Sequence, residues 1–523
     1  MRPEAESPGG VAAHGPVRGV AMFLRSRPWV GILFLGLAAR LPGLQSRPLW
    51  YDEAFAVLFS SKGPAAMLRG TLAVEGGVAA DVHPILYYTL LWLWGRLLGT
   101  SPLAVRSLSL LLGLGIVGLG FLLAHRLFGR RTAVAAGLLL ALSPFQVHYA
   151  QETRMYALLA LLLLGATLLF WRGLNDGGVW PWLGFGLLAA AAQYTHNLAF
   201  TYLLPLSLAP VFLRRWRALA WTGLAGLLAL ALYSPWMLRL PSQMARVGTA
   251  YWISAPGPAE LVRTLLVFVC GLPVPAWALP VALTCGVLVL AAGGWAISRG
   301  LRSREPDAGS ALWMAYLAAA PVAVMFLASQ WRPVYLDRAL LASGAAFTLW
   351  LAWVLTRGRL TRPVLWTGRG ALVLATLVGL FGFYTYRGFP YAPYADLGAA
   401  IGDQRVPGEV ILHSNKITAL PAIYADPDLD QHYLADPPGS GSDTLARATQ
   451  DVLGLWADPD VASAVGSATG VWFILFPQEI EDYRSLGLPG HPALTWLEEH
   501  FQAAGTQAFG ELMVYHFVRE EPG

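Results

Sequence analysis

Charged residues are scarce in this 523-residue chain: Asp, Glu, Lys and Arg together make up 13% of it, and hydrophobic types make up 56%. A soluble globular domain does not need that much apolar sequence, and repeated apolar runs of about 17–25 residues are typical of membrane-spanning helices. The composition therefore argues against an ordinary soluble enzyme and predicts an α-helical polytopic membrane protein.

Lysine and cysteine are also rare. Lys62 and Lys416 are the only lysines, so the net charge of +5 comes almost wholly from arginine. In a membrane protein, a surplus of positive charge usually indicates which loops are cytoplasmic rather than a nucleic-acid site. No nucleic-acid partner is predicted. Cys270 and Cys285 both lie in apolar sequence without metal-ligand spacing. We interpret them as core residues without a disulfide.

The arginines define a topology. Residues 1–27 are polar and basic and are predicted to form a disordered cytoplasmic N-terminus, with no cleavable signal peptide evident. Short arginine-rich loops at 125–131, 214–217, 299–304 and 357–362 are placed in the cytoplasm by the positive-inside rule. This arrangement needs about eleven crossings, with thirteen as the alternative. The predicted spans lie near 28–44, 103–123, 132–148, 155–171, 181–195, 197–213, 218–237, 277–297, 311–329, 336–355 and 364–384.

The remaining segments complete the domain organisation. A transmembrane domain is predicted over 28–386, with a long first outer loop at 45–102. The short apolar stretches 84–98 and 259–272 are predicted to be re-entrant or interfacial helices. Residues 387–523 have no spanning segment and are predicted to form an extracytoplasmic α/β domain. Its predicted strands are 409–413, 471–476 and 512–515, and its predicted helices are 396–404, 444–456 and 494–503.

The unusual polar residues fall on the outer side of this topology. Asp52 and Glu53 stand out because aromatic residues flank them, and a charge at a membrane face is costly unless it has a function. Five groups from distant parts of the chain share this face, which predicts a polar cavity open to the outer leaflet. The groups are Asp52 and Glu53; Asp81 and His83; His148, Gln151, Glu152, Arg154 and Tyr156; Tyr194, His196 and Asn197; and Trp331, Arg332, Tyr335, Asp337 and Arg338.

Each group also has a purely structural explanation. His83 precedes a proline and could simply cap a helix, and residues 151–154 could form a solvated helix cap. Residues 194–197 could be an ordinary tight turn, and Asp337 could pair with Arg338. The convergence of all five groups on one membrane face favours a shared functional site.

Several of these residues lie in motifs. Residues 49–53 read Leu-Trp-Tyr-Asp-Glu, residues 83–88 read His-Pro-Ile-Leu-Tyr-Tyr, and 149–158 read Tyr-Ala-Gln-Glu-Thr-Arg-Met-Tyr-Ala-Leu after Ser-Pro at 143–144. In this order they resemble the ArnT/protein O-mannosyltransferase-like branch of the GT-C glycosyltransferases. The turn at 194–196 is similar to one common in the bacterial members. The resemblance covers about 28 to 355, and an outer C-terminal α/β domain also fits bacterial members.

Two positions depart from the family pattern. Ile85 stands where a second proline is typical, and Asp337-Arg338-Ala339-Leu340 stands where Arg-Tyr-Leu commonly begins a late helix. These departures affect the motif after His83 and the segment that carries Arg338.

The resemblance implies a multi-pass enzyme of the plasma (inner) membrane, which moves a sugar from a polyprenyl-phosphate carrier to a lipid, glycan or protein acceptor on the outer face. It implies inversion at the anomeric carbon, with Asp52 as general base; Glu53 and Glu152 are the other catalytic candidates. The leaving phosphate gains charge, which suits arginine. Its candidate ligands are Arg40, Arg154 and Arg338, and the other substrate-binding candidates are Tyr51, His83, Gln151, Tyr156, Tyr194, His196 and Tyr335. Arg40 lies near the outer end of the first predicted span, where its long side chain is expected to extend towards the interface.

Other readings stay open. Glu152 orients the sugar or acceptor, or shares a divalent cation such as Mg²⁺ or Mn²⁺ with Asp52, since carboxylates suit these ions; no cofactor is assigned. A transporter or flippase of lipid-linked sugars is the main alternative, although repeated halves and broken helices expected of transporters are not evident. A non-catalytic scaffold would leave Asp52, Glu152 and Arg154 unexplained. If the resemblance holds, Asp52 as general base is expected to assist by about 10²–10⁴-fold, and Glu53 is expected to cap or brace the loop.

Overall fold

The structure is a computed structural model that describes residues 26–519 except 76, 77, 81, 213, 250–252, 304, 306, 437–442 and 486. Most of the predicted cytoplasmic N-terminus therefore lies outside the described residues, and so does Asp81.

Long helices form the first three quarters of the chain. Each predicted span overlaps a helix, but the span predicted at 132–148 is divided at Ser143 into two helices. Seven helices in the described part are long and apolar enough to cross a membrane. The predicted α-helical polytopic membrane fold is confirmed, and the total of about eleven crossings stays a prediction. The helices are α1 (Pro28–Arg40), α2 (Tyr51–Ser61), α3 (Pro64–Leu72), α4 (Leu86–Leu98), α5 (Pro102–Phe128), α6 (Arg130–Leu142), α7 (Pro144–Tyr149), α8 (Tyr156–Asn175), α9 (Trp180–Thr195), α10 (Phe200–Phe212), α11 (Trp216–Met237), α12 (Leu240–Thr249), α13 (Pro258–Cys270), α14 (Leu279–Arg302), α15 (Ala308–Ser329), α16 (Leu341–Arg357) and α17 (Arg362–Thr385).

Local sequence signals set the helix ends. At the start of α5, the Ser101 hydroxyl accepts a hydrogen bond from the Ala104 N–H at 3.4 Å, and Pro102 occupies the first turn, where its missing N–H costs nothing. Gly129, at φ 80°, ends α5 and starts α6. The first helix ends at Arg40 rather than near residue 44, because Pro42 disfavours helix immediately before it.

Short elements connect these helices near the site. The 3₁₀ turns Asn197–Ala199, Ala276–Ala278 and Asp337–Leu340 precede α10, α14 and α16. A small hairpin, β1 (Val74–Glu75) and β2 (Val78–Ala79), follows α3. The predicted interfacial stretches form α4 and α13, each of 13 residues, and their position in the bilayer stays a prediction.

The C-terminal region contains a six-stranded mixed sheet in the order β5-β4-β3-β6-β8-β7. The strands β3, β4, β5 and β6 are parallel, whereas β8 pairs antiparallel with β6, and β7 pairs antiparallel with β8 at the sheet edge. The three predicted strands are confirmed; the predicted helix 494–503 ends at His500, because the chain begins an edge strand at Gln502. The elements are α18 (Tyr394–Gln404), β3 (Glu409–His413), α19 (Lys416–Ala425), β4 (Gln431–Leu434), α20 (Arg447–Leu453), β5 (Ala457–Asp458), α21 (Val461–Val465), β6 (Gly470–Leu475), α22 (Pro477–Ser485), α23 (Pro492–His500), β7 (Gln502–Phe509) and β8 (Leu512–Val518).

The sheet domain is docked on the segment between α1 and α5. Helix α19 packs on α2, and α20 packs on α3. The Tyr424 hydroxyl donates to the Thr100 carbonyl at 2.7 Å, and the Thr449 hydroxyl donates to the Gly70 carbonyl at 3.1 Å. Leu420 belongs to the same apolar core as the membrane helices. The sheet domain therefore covers the helices that carry the candidate site.

Candidate active site

A cavity of about 910 Å³ lies where the membrane helices, the segment 45–102 and the C-terminal domain meet. Seven of the predicted site residues line it: Tyr51, Asp52, His83, Glu152, Arg154, Tyr335 and Arg338. They come from four separate segments of the chain. Four of the five polar groups that the sequence placed on one face thus contribute to one chamber, whereas residues 194–197 do not line it.

Asp52 is the centre of this group. It lies in the first turn of α2, where a carboxylate also suits the helix dipole. Its Oδ2 accepts a hydrogen bond from Arg338 Nη1 at 2.9 Å and lies 3.7 Å from Arg154 Nε. Arg154 Nη1 also donates to the Asp52 backbone carbonyl at 3.3 Å. Two guanidinium groups therefore converge on one partly exposed carboxylate.

Aromatic rings hold Arg338 in place. Its guanidinium carbon lies 5.1 Å from the ring centre of Tyr156 and 5.8 Å from that of Trp50. Such contacts stabilise a cation over the face of a π system. Asp337 does not pair with the Arg338 side chain as one alternative expected; its carboxylate accepts from the Arg338 backbone N–H and lies 3.4 Å from Arg263.

Two of the carboxylates that line the cavity, Asp52 and Glu152, have opposite pKa shifts, and both lie outside the membrane-spanning helices. Burial alone would raise the pKa of Asp52, but Arg154 and Arg338 outweigh it and hold the pKa below its usual value. Burial raises the pKa of Glu152 to about 8. Glu152 Oε1 has no hydrogen-bond partner among the described residues. Asp52 is thus charged at neutral pH, and Glu152 is largely protonated.

Glu53 is placed differently from its neighbour and does not line the cavity. Both of its oxygens are bound by Arg106, at 2.8 Å from Nε and 2.6 Å from Nη2, and Oε1 also accepts the Thr153 N–H at 2.8 Å. The same guanidinium donates to the carbonyls of Leu44, Arg47 and Pro48. The structure places Glu53 outside the cavity and in the position expected of a brace, so we propose no catalytic role for it.

The brace joins the segments that carry the cavity groups. Glu53 follows Asp52 on α2, and Thr153 lies between Glu152 and Arg154. Arg106 lies on α5, and the close approach of this helix to the 150–155 turn requires glycine, since a Cβ at Gly113 would lie 2.5 Å from the Ala150 Cβ. One fully buried ion pair therefore fixes the spacing between Asp52, Glu152 and Arg154.

Arg40 and Gln151 are predicted site residues that lie outside the cavity lining. Arg40 was expected to extend towards the interface, but it is fully buried and donates to the carbonyls of Gly36, Leu140 and Ala141. The Gln151 amide donates to the carbonyls of Arg40 and Pro42. Burial drives both side chains to satisfy backbone carbonyls, so they join helices rather than face a ligand.

Tyr156, Tyr194 and His196 also lie outside the lining. Tyr156 is buried, and its ring contacts two residues that line the cavity, Arg338 and Tyr149. His196 caps the following turn by accepting the Leu198 N–H, and its ring lies 5.9 Å from that of His83. Tyr194 donates to the Leu232 carbonyl. The alternative that 194–197 is mainly a structural turn fits Tyr194 and His196.

Several cavity residues escaped the sequence reasoning. Arg47 lines the cavity with its guanidinium 4.2 Å from the Phe383 ring centre, and aromatic residues 386–391 form a wall beside it. Lys416 and Asp443 come from the C-terminal domain. The sequence held a signal for two of the missed residues. Arg106 is an arginine inside a predicted apolar span, and Lys416 is one of only two lysines.

The residues do not fit a divalent cation between Asp52 and Glu152. Asp52 already has two guanidinium partners, and Glu152 is largely protonated at neutral pH. Within the described part of the chain there is no group of three or more His, Cys, Asp or Glu side chains able to hold a metal ion. We therefore derive no step through a metal.

Comparison with known proteins agrees with this architecture. Residues 82–238 match the family model of dolichyl-phosphate-mannose-protein mannosyltransferase. That range contains His83, Glu152 and Arg154, but not Asp52, Arg338 or the C-terminal domain. No curated protein matches the sequence significantly.

Solved structures match over nearly the whole chain. ArnT from Cupriavidus metallidurans in the apo state has a TM-score of 0.61 at 14% identity, covering 95% of this chain and 98% of that chain. The same protein bound to undecaprenyl phosphate gives 0.56 at 14% identity, covering 96% and 98%. The Archaeoglobus fulgidus oligosaccharyltransferase tethered with an acceptor peptide gives 0.53 at 12% identity, covering 96% of this chain and 75% of that one.

The matches include the C-terminal sheet region as well as the membrane helices, since each of them covers at least 95% of this chain. They identify the fold, not the reaction. The chain therefore has the GT-C fold with an ArnT-like arrangement, and the resemblance to ArnT- and protein O-mannosyltransferase-like glycosyltransferases is confirmed.

Proposed function

We propose that the protein is a glycosyltransferase that moves a sugar from a polyprenyl-phosphate carrier to a hydroxyl group of an acceptor, with Asp52 as general base. The observation that carries this proposal is the convergence of Arg154 and Arg338 on Asp52 in a cavity between membrane helices and a sheet domain. The family match and the fold support the donor class. The donor proposed here has the same carrier chemistry as the undecaprenyl phosphate bound to ArnT.

In the first step, the carrier phosphate replaces Asp52 as the partner of the two arginines. Both guanidinium groups are held in position before the ligand binds, Arg154 by burial and Arg338 by the rings of Tyr156 and Trp50. Arginine suits this task because its planar fork matches two phosphate oxygens. The negative charge that develops on the leaving phosphate is then stabilised where it forms.

In the second step, Asp52 accepts the proton of the acceptor hydroxyl while that oxygen attacks the anomeric carbon. The bond between this carbon and the phosphate oxygen breaks, and the electron pair leaves with the carrier phosphate. Attack on the face opposite the phosphate inverts the anomeric centre. While the arginines bind Asp52, they hold its pKa low and make it a weak base. Phosphate binding releases Asp52, so the base gains strength only when the donor is present.

The rest of the cavity suits the lipid part of the donor. Apolar side chains from α7 and α13, namely Phe145 and Val267, line it together with Leu272. A polyprenyl chain needs such an apolar path from the bilayer. Protonated Glu152 offers a hydrogen-bond donor to a sugar hydroxyl at the same site.

The orientation is part of the proposal: the cavity and the C-terminal domain face outwards, and the arginine-rich loops face the cytoplasm. An impermeant thiol reagent tests it with Ser485→Cys on α22 and Ser303→Cys after α14, both at exposed positions. Labelling of Ser485→Cys alone in intact cells is expected. Labelling of Ser303→Cys alone would show that the proposed orientation is wrong and that the loop after α14 faces outwards.

The activity is tested with purified protein in nanodiscs. Undecaprenyl phosphate is expected to bind the wild type. The double variant that combines Arg154→Ala and Arg338→Ala is expected to lose that binding. Extracts of a deletion strain are expected to lack one glycan that the wild type restores and Asp52→Asn does not. Restoration by Asp52→Asn would support a carrier or flippase instead of a transferase.

A further inference from the structure

The C-terminal domain contributes a second set of polar residues to the cavity. Lys416, Ile417, Asp443, Leu445 and Thr449 line it opposite the membrane helices. The proposed donor enters from the bilayer through apolar helices, so this wall faces the side from which a water-exposed acceptor enters.

The topology of the sheet makes this wall a natural ligand site. Strand β3 is parallel to both β4 and β6 and lies between them. The chain leaves β3 through α19 to β4 on one side, and β6 lies on the other. Open parallel sheets bind ligands outside the carboxyl ends of their strands, where the strand order reverses. Lys416 follows the carboxyl end of β3 directly and begins α19.

The charges at this edge do not favour a further anion, because Lys416 faces two carboxylates. Lys416 Nζ lies 3.3 Å from Asp436 Oδ2 and 3.6 Å from Asp443 Oδ1. Asp436 is almost fully buried, whereas the Asp443 side chain is 32% exposed. An ammonium already matched by two carboxylates does not attract a second phosphate. Its donors stand beside carboxylate acceptors, which suits hydroxyl groups that both donate and accept.

Aromatic residues form another part of the cavity wall, and one of them, Phe389, lies with its ring centre 5.0 Å from that of Phe476 at the end of β6. Tyr386, Phe389 and Tyr391, from the segment that joins α17 to the sheet domain, line the same cavity. Phe389 is 48% exposed. The negative faces of such rings attract the polarised C–H groups of a flat sugar ring. A lysine held by two carboxylates, in one cavity with aromatic faces, is therefore suited to a pyranose.

A polypeptide acceptor suits this wall less well. Extended peptides commonly bind by adding a strand to a sheet edge. The exposed edge strand β7 offers that surface, but none of its residues lines the cavity.

Resting on the proposed function, we propose that the carboxyl edge of the C-terminal sheet, with Lys416, Asp443 and Phe389, is the acceptor subsite and that it binds a saccharide. The acceptor is then a glycan or glycolipid whose sugar ring lies against the aromatic wall. Its hydroxyl groups contact Lys416 and Asp443, which are positioning and specificity residues. The reacting hydroxyl points towards Asp52.

The test is saturation-transfer NMR on the full-length protein in nanodiscs, with oligosaccharides released from the source cell envelope as the probe. The wild type is expected to transfer saturation to sugar-ring protons. Asp443→Asn and Phe389→Ala are expected to reduce that signal at least fivefold, and Lys416→Ala more. Lys416→Arg is expected to restore part of it. Lys62→Ala changes the only other lysine, which is exposed and outside the cavity, and serves as the matched control.

Undecaprenyl phosphate binding is measured in parallel on every variant. Unchanged carrier affinity with a lost sugar signal supports the acceptor subsite. Lys416→Ala removes a buried charge partner and is interpreted only if its melting temperature is preserved; otherwise Asp443→Asn and Phe389→Ala decide. No sugar signal from the wild type, full signal from both of these variants, or binding of a synthetic Ser/Thr peptide in place of the sugars would overturn the proposal. If the wild type does not bind undecaprenyl phosphate but still gives the sugar signal, the proposed donor is wrong and the saccharide subsite is still supported.

Discussion

Asp52 and Glu53 are adjacent in the first turn of α2, and each pairs with arginine. The two groups differ in whether a ligand can reach the charged side chains. On the inner side, the Glu53 and Arg106 side chains are 1% and 2% exposed, and the pair also binds four backbone groups from two segments, 44–48 and the turn at Thr153. On the cavity side, Asp52 is 15% exposed and shares its charge between Arg154 and Arg338. Adjacent residues of the same chemical type are therefore committed to structure in one case and available to a ligand in the other.

The difference follows from helix geometry. Successive residues on a helix point about 100° apart, so neighbouring carboxylates cannot face the same surroundings. Glu53 points into the packed interface with α5, where a charge must be fully paired. Asp52 points into the cavity, where an incoming phosphate can exchange partners with it. Asp52 and Glu53 carry the same charge. They differ in whether a ligand can replace the carboxylate as the partner of an arginine.

Asp52→Asn is the largest expected effect on activity. It keeps the size of the side chain but removes the proton acceptor, so turnover is expected to fall by about 10²–10⁴-fold. The melting temperature is expected to change little, because the site is partly exposed. Transfer of sugar in nanodiscs measures the first quantity, and a thermal melt measures the second. Wild-type turnover in Asp52→Asn would remove it from the base role.

Arg106→Ala is the largest expected effect on stability. It leaves Glu53 charged and buried without its partner, which typically costs about 3–5 kcal/mol. The matched control is Arg126→Ala, an exposed arginine at the other end of α5, expected to be near neutral. Denaturant unfolding in detergent compares them. Equal stability of the two variants would contradict the brace, and Glu53→Gln should resemble Arg106→Ala more than Asp52→Asn.

Arg154→Ala is expected to weaken undecaprenyl phosphate binding by about ten- to a hundredfold, since a charge-assisted hydrogen bond contributes about 1.5–3 kcal/mol. Arg154→Lys should recover only part of the affinity, because lysine lacks the planar fork. Arg332→Ala, at an exposed position outside the cavity lining, is the control. Unchanged carrier affinity in Arg154→Ala would exclude it from the phosphate site.

The smallest expected effect is the pH dependence caused by Glu152. Its pKa is raised from 4.5 to about 8 in the folded protein, so the folded state binds more protons than the unfolded state between these values. The stability that it contributes is present at low pH and is lost as the pH rises through about 8. Melting temperatures from pH 5 to 9 should fall less in Glu152→Gln than in the wild type. Parallel curves for both proteins would contradict the assigned protonation.

Much of the architecture was readable from sequence, because apolar runs and arginine-rich loops are set by the bilayer. The convergence of Asp52, Glu152, Arg154 and Arg338 was also predictable, since costly polar residues shared one membrane face. Sequence could not separate Asp52 from Glu53 by geometry, because their environments depend on how α5 packs against α2. Nor could it place Lys416 in the cavity, because that depends on how the sheet domain docks.

The surroundings of Arg40 could not be predicted from the sequence either. A cation near a span end was expected to reach the interface, yet tertiary packing supplies three carbonyls inside the helix bundle and buries it. Side-chain type and depth along a span do not determine which neighbours offer hydrogen bonds.

The account rests on the exchange of Asp52 for a phosphate at Arg154 and Arg338, and one measurement tests it directly: the affinity of Asp52→Asn for undecaprenyl phosphate in nanodiscs. Asp52→Asn removes the carboxylate that competes for both arginines and repels the ligand. The account predicts about three- to tenfold tighter binding than the wild type, the size of one weakened charge contact. Weaker binding by Asp52→Asn would contradict the exchange, because it would show that the carboxylate supports the phosphate site instead of occupying it.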